Sequence, residues 1–186
     1  MKKYLIFLFI FFFNINVHSS TNQKIINHLE NINSLQFKFT QKIDNNKIER
    51  GECIILYPKK IFCEYNDINN KILVSNGKSL VINSDKIKNY YRYPLDKTPL
   101  NFILDKKFLI SKMNEVEDDN NYPFYYVFNF KYESNLIKVF FNKESLDLMG
   151  WETKDIYQNI IQTFLSDISI NVEVEEEMFS IQKYTK

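Results

Sequence analysis

The residues that could do chemistry are few in this chain and lie far apart. The sequence holds two histidines, His18 and His28, and two cysteines, Cys53 and Cys63. It has no HExxH, GxSxG, P-loop or paired CxxC motif, so zinc sites and nucleophile–base pairs lack their usual parts. Carboxylates cluster in polar runs such as Glu117–Asp119, where a solvated surface is the expected setting. The residue types predict a protein without catalytic activity, metal or cofactor, and a solvent-facing or capping role for His28.

The two cysteines are equidistant from Pro58. A three-residue turn, Tyr57–Lys59, would place them opposite each other on neighbouring strands, whereas a two-residue turn would send their side chains to opposite faces. An exported protein can oxidise such a pair to a disulfide. The alternative is two small buried hydrophobic side chains.

The first residues, Met1–Ser19, have the three zones of a secretory leader. Lys2 and Lys3 precede the apolar run Tyr4–Phe13, and Val17–Ser19 offers small residues for cleavage. Crossing a bilayer takes about 20 apolar residues, and this run is much shorter. We expect a cleaved signal peptide, export to the periplasm, and a soluble mature chain that is not itself acylated, because no cysteine stands directly after the predicted cleavage point.

The rest of the chain, 20–186, is expected to form one domain with a sizeable core. Its 24 Lys and Arg residues balance 23 acidic ones, and loss of Lys2 and Lys3 with the leader leaves 22 against 23. This balance gives no electrostatic case for a nucleic-acid partner. Aromatic residues make up 16% of the sequence, which indicates either a large core or an aromatic-lined cavity.

The elements that must position these side chains can be read from apolar spacing. Helical spacing predicts one amphipathic helix from residue 20 or 21 to Ser34. Strict alternation then predicts a strand over Leu35–Ile43, and Gly51–Ile82 reads as a meander of four short strands. Asn76 and Gly77 are typical of a type I′ hairpin turn with positive φ at both residues.

The second half of the chain predicts further strands and one short helix. Thr98 as N-cap with Pro99 in the first turn marks a helix start. Six aromatic residues occupy every second position from Tyr122 to Tyr132, so one face of that strand should be a continuous aromatic wall. The remaining strands are predicted at residues 87–93, 136–141, 150–153, 156–164 and 168–172.

The order of features within Gly51–Ile82 resembles the LolA family of outer-membrane lipoprotein carriers. The matching features are a glycine, an apolar strand, a proline-led turn, a strand ending at Tyr65, and a run of the form Ile-Leu-Val-Ser-x-Gly-Lys-x-Leu. The initial helix, followed by a strand that contains Phe39-Thr40-Gln41, is similar as well. In the family both cysteine positions are usually apolar, which favours free buried thiols over a disulfide.

The resemblance implies a mainly β fold with some helix. Its sheet would be antiparallel, strongly curved and unclosed, a half-barrel with lid helices near residues 21–34 and 98–105 over an apolar cavity. It implies a monomeric periplasmic chaperone that shields the acylated N-terminus of lipoproteins. The partners would be an inner-membrane lipoprotein-releasing ABC transporter and an outer-membrane lipoprotein receptor. The alternative is a lipid- or glycolipid-binding or sensing module of the same fold in the cell envelope.

Seven residues are expected to line the acyl-chain cavity. Phe37 and Phe39 come from the alternation, and Leu100 and Phe102 from the lid that the resemblance implies. The seven are Phe37, Phe39, Ile55, Ile61, Tyr65, Leu100 and Phe102. Ordinary core packing is the alternative for all seven. Many family members have an arginine just before the turn proline, where its hydrogen bonds to the lid favour closure. Tyr57 stands there in this chain and is expected to act in lid gating. A phenol can donate one hydrogen bond but brings no fixed charge or bidentate fork, so this departure bears on how the lid is gated and not on the carrying role.

Overall fold

The computed structural model describes residues 21–44, 47–66, 69–86, 89–115, 122–132, 135–155 and 158–185. The predicted signal peptide, Met1–Ser19, lies outside these residues and stays a prediction. So do Ile87 and Ile156, each at the start of a predicted strand, and most of the polar loop that contains Glu117–Asp119.

Within the described residues the chain forms three α-helices and ten strands. The helices are α1 (Thr21–Glu30), α2 (Leu100–Ile103) and α3 (Lys106–Met113). The strands are β1 (Ser34–Ile43), β2 (Lys47–Leu56), β3 (Lys60–Tyr65), β4 (Ile72–Asn76), β5 (Ser79–Asn83), β6 (Tyr91–Pro94), β7 (Tyr125–Tyr132), β8 (Asn135–Asn142), β9 (Leu148–Lys154) and β10 (Ile160–Ile170). Short 3-10 turns occur at Leu95–Lys97, Glu176–Phe179 and Ile181–Tyr184.

The ten described strands form one antiparallel sheet in the order β6-β5-β4-β3-β2-β1-β10-β9-β8-β7. The first and last strands in sequence, β1 and β10, pair at the centre, with Phe39 opposite Leu165. β6 and β7 stand at opposite ends of the order and do not pair with each other, so the sheet is a half-barrel rather than a closed barrel. The predicted fold class is confirmed.

The main core lies between one face of the sheet and the three helices. Alternate residues of the central strands point to this face, which we call the concave face; Phe37, Ile55 and Ile61 are examples. From the helices, Leu29 and Leu109 join the same buried cluster. Together α1, α2 and α3 therefore form a lid over the concave face.

The opposite, convex face is covered in part by the C-terminal segment. Ile181 packs on Val74 and Val81 to form a second, smaller cluster, and Tyr184 contacts Phe62 there. The backbone carbonyl of Tyr184 accepts a hydrogen bond from Asn83 Nδ2 at 2.8 Å. This segment thus supports β3–β5 from the side away from the lid.

The predicted aromatic wall is only partly correct. Tyr126, Phe128 and Phe130 do face the main core. β7 begins at Tyr125, however, and Phe124 before it is 76% exposed. Pro123 explains the late start, because it has no N–H to contribute to a ladder.

Other boundaries also differ from the sequence prediction. α1 ends at Glu30 rather than Ser34, and the two strands predicted at 156–164 and 168–172 are one strand, β10. α2 follows Pro99 as expected, but Thr98 does not cap it. The Thr98 hydroxyl instead donates to the Leu95 carbonyl at 2.8 Å, which closes the preceding 3-10 turn.

Cys53 and Cys63 form a disulfide, so the preference for free thiols was wrong. Tyr57–Lys59 makes the three-residue turn, and Cys53 lies directly opposite Cys63 in the register of β2 and β3. Both side chains point into the concave face and are buried. The two side chains therefore lie within bonding distance on the same face of the sheet. The apolar pattern of the sequence does not by itself reveal this contact.

Reducing this disulfide should lower the free energy of unfolding by about 2–3 kcal/mol, because a loop of ten residues is released in the unfolded chain. We expect the same loss in the variant Cys53→Ala/Cys63→Ala. Urea denaturation with and without a phosphine reductant measures it. If reductant destabilises the double variant as much as the wild type, the effect does not come from this bond.

Candidate functional site

The seven residues predicted to line a cavity are brought together in the main core. Phe37, Phe39, Ile55, Ile61 and Phe102 are buried, and Tyr65 and Leu100 are half-buried at its border. The Phe39 and Tyr65 rings meet edge to face, 5.0 Å between centroids. Sheet and lid therefore share one continuous apolar interior, and the structure shows the lid seated on it.

The contribution of α3 to this interior was missed by sequence reasoning. Leu109 and Met113 are buried in the main core, four residues apart on one face of the helix. Asp105 caps the helix by accepting a hydrogen bond from the Phe108 N–H at 3.1 Å. The spacing of Leu109 and Met113 after an aspartate N-cap could have predicted the helix.

The turn Tyr57–Lys59 docks onto the junction between α2 and α3. The Lys59 N–H donates to the Leu104 carbonyl at 2.9 Å. The Lys59 ammonium lies 3.2 Å from Asp105 Oδ2, and both side chains are partly exposed, so this ion pair contributes little. The turn that links the two cysteine-bearing strands is thus one support of the closed lid.

Tyr57 lies in that turn with its ring packed against the main core. Its hydroxyl is buried, and no group in the described part of the chain makes a hydrogen bond to it. Burial raises the pKa of the phenol, so it stays neutral. In the closed arrangement this phenol therefore makes no hydrogen bond to the described part of the lid, and its role in gating stays a prediction.

Lys106 links the two longer helices of the lid. Its ammonium donates to the carbonyls of Glu30 and Ile32, at 2.9 and 2.8 Å, and lies 5.8 Å from the centroid of the Tyr57 ring. At the other end of the helices, Asn22 Nδ2 donates to the Met113 carbonyl at 2.9 Å. These bonds tie α1 and α3 into one unit.

His28 has a structural partner rather than a free surface position. Its Nε2 lies 2.8 Å from Asp147 Oδ1, with both side chains about one quarter exposed. Asp147 belongs to the turn between β8 and β9, so this contact fixes α1 to the half of the sheet remote from Tyr57.

The concave face becomes polar towards the end where β2 begins. The Glu49 carboxylate is bridged by Lys47 at 2.6 Å and Lys71 at 2.7 Å, and Gln41 Nε2 donates to the buried Thr163 hydroxyl at 3.0 Å. Burial acts to raise the pKa of Glu49, but the hydrogen bonds and charges of the two lysines outweigh it and hold the pKa below its ordinary value of 4.5. This end of the interior therefore presents fixed charge.

The lowered pKa of Glu49 predicts a dependence of stability on pH. A carboxyl whose pKa is lower in the folded than in the unfolded chain stabilises the folded protein at pH values above the pKa it has in the unfolded chain. This contribution is lost as the pH falls through the pKa of the folded chain. The wild type should thus exceed Glu49→Gln in unfolding free energy at pH 6, and the difference should shrink below about pH 4.5. Urea denaturation of both proteins from pH 6 to pH 3 checks this. A constant difference over that range contradicts it.

The described residues contain no group of three or more His, Cys, Asp or Glu side chains arranged to hold a metal ion. No helix among them is both long enough and apolar enough to span a membrane.

The fold and the interior define a class: half-barrel proteins in which a few helices cover an apolar concave face. Residues 30–182 match the family described as outer membrane lipoprotein carrier protein LolA, and the chain belongs to this family. Its members are non-enzymatic binding proteins of the periplasm.

Two solved structures are similar to this chain at low sequence identity. An uncharacterized conserved protein from Thermus thermophilus superposes with a TM-score of 0.53 at 7% identity, covering 87% of this chain and 93% of that chain. A LolA superfamily protein from Nitrosomonas europaea has a TM-score of 0.48 at 9% identity, with 87% and 98% coverage. No curated protein matches the sequence.

Proposed function

We propose that the protein is a periplasmic lipoprotein carrier that holds the acylated N-terminus of its cargo between the lid and the concave face. The observation that carries this proposal is the shared interior, in which the lid covers apolar side chains of the sheet; a ligand would cover the same side chains once the lid moves. Family membership supports the same role. The cargo would come from an inner-membrane ABC transporter and pass to an outer-membrane receptor.

The physical need for such a carrier follows from the cost of exposing acyl chains to water. Each methylene kept from water is worth about 0.8 kcal/mol, so a triacylated protein cannot cross an aqueous compartment unaided. In the proposed open state the acyl chains contact Phe37, Phe39, Ile55, Ile61, Tyr65, Leu100 and Phe102. The lid and the ligand compete for one surface, so the free energies of the closed state and the ligand-bound open state can lie within a few kcal/mol of each other. Cargo can therefore be released.

The lid of this chain is suited to such a competition. α2 has four residues and α3 eight, too few to be stable without packing. The polar links between α3 and its surroundings, at Lys59, Asp105 and Lys106, are partly exposed and so hold it weakly. Release of the lid therefore does not require the sheet to unfold.

A release assay tests the proposal directly. Spheroplasts carrying a tagged lipoprotein are incubated with the mature protein, and the lipoprotein in the supernatant is quantified. We expect release that depends on the added protein and on the acyl groups of the cargo. A protein that solubilises no lipoprotein from the spheroplasts contradicts the carrier role.

Tyr57→Phe should close the lid further. It keeps the ring and removes a buried hydroxyl that lacks a partner in the described residues, a group whose burial costs about 1–3 kcal/mol. In the proposed open state the hydroxyl meets water, so the variant should melt at a higher temperature but bind an acylated fluorescent probe about fivefold or more weakly.

Tyr184→Phe is the matched control, because Tyr184 packs on the convex face. It should leave probe affinity unchanged. Equal probe affinity in Tyr57→Phe and the wild type argues against a gate at this position.

A further inference from the structure

The Tyr57 hydroxyl is a polar group enclosed in an apolar setting. Its ring packs against the main core, and the hydroxyl oxygen is buried without a hydrogen-bond partner in the described part of the chain. In the closed state it therefore lacks the hydrogen bond that it would make in water, a cost that a phenylalanine ring at the same place would not carry. This cost is offset only in a state in which the hydroxyl meets a partner.

The polar groups around the Tyr57 ring are engaged with one another. The Tyr57 N–H donates to the Asn33 carbonyl at 2.9 Å. The Lys106 ammonium, 5.8 Å from the centroid of the ring, donates to the carbonyls of Glu30 and Ile32. None of these groups makes a hydrogen bond to the hydroxyl, so its partner would come from water or from a ligand.

Water and a ligand differ in whether they can serve this hydroxyl when the interior is filled. In the empty open state the hydroxyl meets water. Acyl chains that fill the interior exclude water from it, so the hydroxyl again lacks a partner unless the ligand supplies one. A hydrocarbon tail has no hydrogen-bond acceptor, but the ester or amide that joins the tail to its headgroup has a carbonyl oxygen. A neutral phenol can donate to such an oxygen.

We propose that the Tyr57 hydroxyl donates a hydrogen bond to the ester or amide carbonyl of a bound acyl chain, and so selects acyl chains over alkyl chains that lack this group. The inference rests on the proposed function, because the chain occupies the interior that the lid covers. It places the carbonyl end of the chain beside the turn Tyr57–Lys59. Ile55, two residues before Tyr57 and buried in the same core, would contact the methylenes that follow the carbonyl.

Titration calorimetry with two neutral ligands of the same headgroup and chain length tests the inference. Monodecanoylglycerol has an ester carbonyl, and monodecylglycerol is the ether without it. Both are used below their critical micelle concentrations with the wild type, with Tyr57→Phe and with the control Tyr126→Phe. Tyr126 also packs against the main core, but it lies on β7 at the edge of the sheet.

We expect the wild type and Tyr126→Phe to bind the ester about tenfold more tightly than the ether, and Tyr57→Phe to bind the two about equally. Both ligands require the same open lid, so the free energy of lid opening cancels in the ratio of their affinities for one protein. The ratio therefore separates recognition of the carbonyl from the change in lid closure expected for Tyr57→Phe.

The carbonyl stretching band of isotope-labelled monodecanoylglycerol gives an independent readout. A hydrogen bond weakens the C=O bond, so the bound ester should absorb at a lower frequency in the wild type than in Tyr57→Phe. A difference in lid closure alone would change how much ligand is bound but not the frequency of the bound ester.

Equal affinity of the wild type for ester and ether overturns the inference while leaving the acyl-binding function intact. A preference for the ester that persists in Tyr57→Phe, or that is lost in both variants, also overturns the role of this hydroxyl. Failure of the wild type to bind either ligand counts against the proposed function as well.

Discussion

Replacing Leu109 with alanine should make the protein bind an acylated probe about tenfold or more tightly, although the protein becomes less stable. Leu109 is buried under the lid, and truncating such a leucine costs about 2–5 kcal/mol. In the proposed open state the side chain leaves this site, so the loss falls on the closed state and the binding-competent fraction rises. Fluorescence titration with an acylated probe measures the affinity, and urea denaturation measures the stability.

Ile181→Ala is the matched control for that result. Ile181 is buried in the small cluster on the convex face, so its truncation should cost a similar amount of global stability. It does not touch the surface shared by lid and ligand, and probe affinity should stay at the wild-type value. Tighter binding in both variants would show that general destabilisation, and not lid release, raises the affinity.

Replacing Gly51 with alanine should destabilise the protein by about 3 kcal/mol, which lowers the melting temperature by about 6–12 °C in a chain of this size. An added Cβ would lie 2.1 Å from the Glu64 carbonyl oxygen and 2.9 Å from the Tyr65 Cα. Both are backbone atoms of β3, so they cannot rotate away. Gly51 is required for the close approach of β2 and β3 beneath Phe39.

Gly77→Ala provides the comparison, because Gly77 has φ of +92° but an added Cβ would meet nothing closer than 3.8 Å. That substitution carries a backbone cost of about 1–2 kcal/mol. Differential scanning calorimetry should therefore give a lower melting temperature for Gly51→Ala than for Gly77→Ala. The reverse order would mean that β2 and β3 can separate at Gly51 without much cost.

The lid has no single strong attachment among the described contacts. It is held by apolar burial at Leu29 and Leu109, by the contact between His28 and Asp147, and by the backbone bond from Lys59 to Leu104. A set of individually weak supports is compatible with opening at low cost, and the buried Tyr57 hydroxyl subtracts from the stability of the closed state. Closure is therefore set by packing more than by charge.

Alternation and turn residues predicted much of the sheet. β1 differs by one residue from its prediction, and the β4–β5 hairpin lies where Asn76 and Gly77 placed it. The type of that turn was wrong. Only Gly77 of the pair has positive φ, and the Asn76 side chain instead accepts hydrogen bonds from the N–H groups of Lys78 and Ser79 at 3.0 and 2.9 Å.

The features that sequence reasoning missed depend on contacts between distant segments. α3 has few apolar residues, and it is stabilised by packing on the sheet rather than by its own propensity. The Cys53–Cys63 bond depends on the pairing register of β2 and β3. The length of the turn between these strands sets that register, and the sequence left two turn lengths open.

The central claim is that the interior beneath the lid accepts acyl chains. Native mass spectrometry tests it most directly, with the mature protein mixed either with an N-terminally acylated lipopeptide or with the same peptide without acyl groups. We predict a one-to-one complex with the acylated peptide, strengthened by Leu109→Ala and weakened by Tyr57→Phe, and no complex with the unacylated peptide. Equal binding of the two peptides, or none of either, would show that the packed interior is an ordinary core.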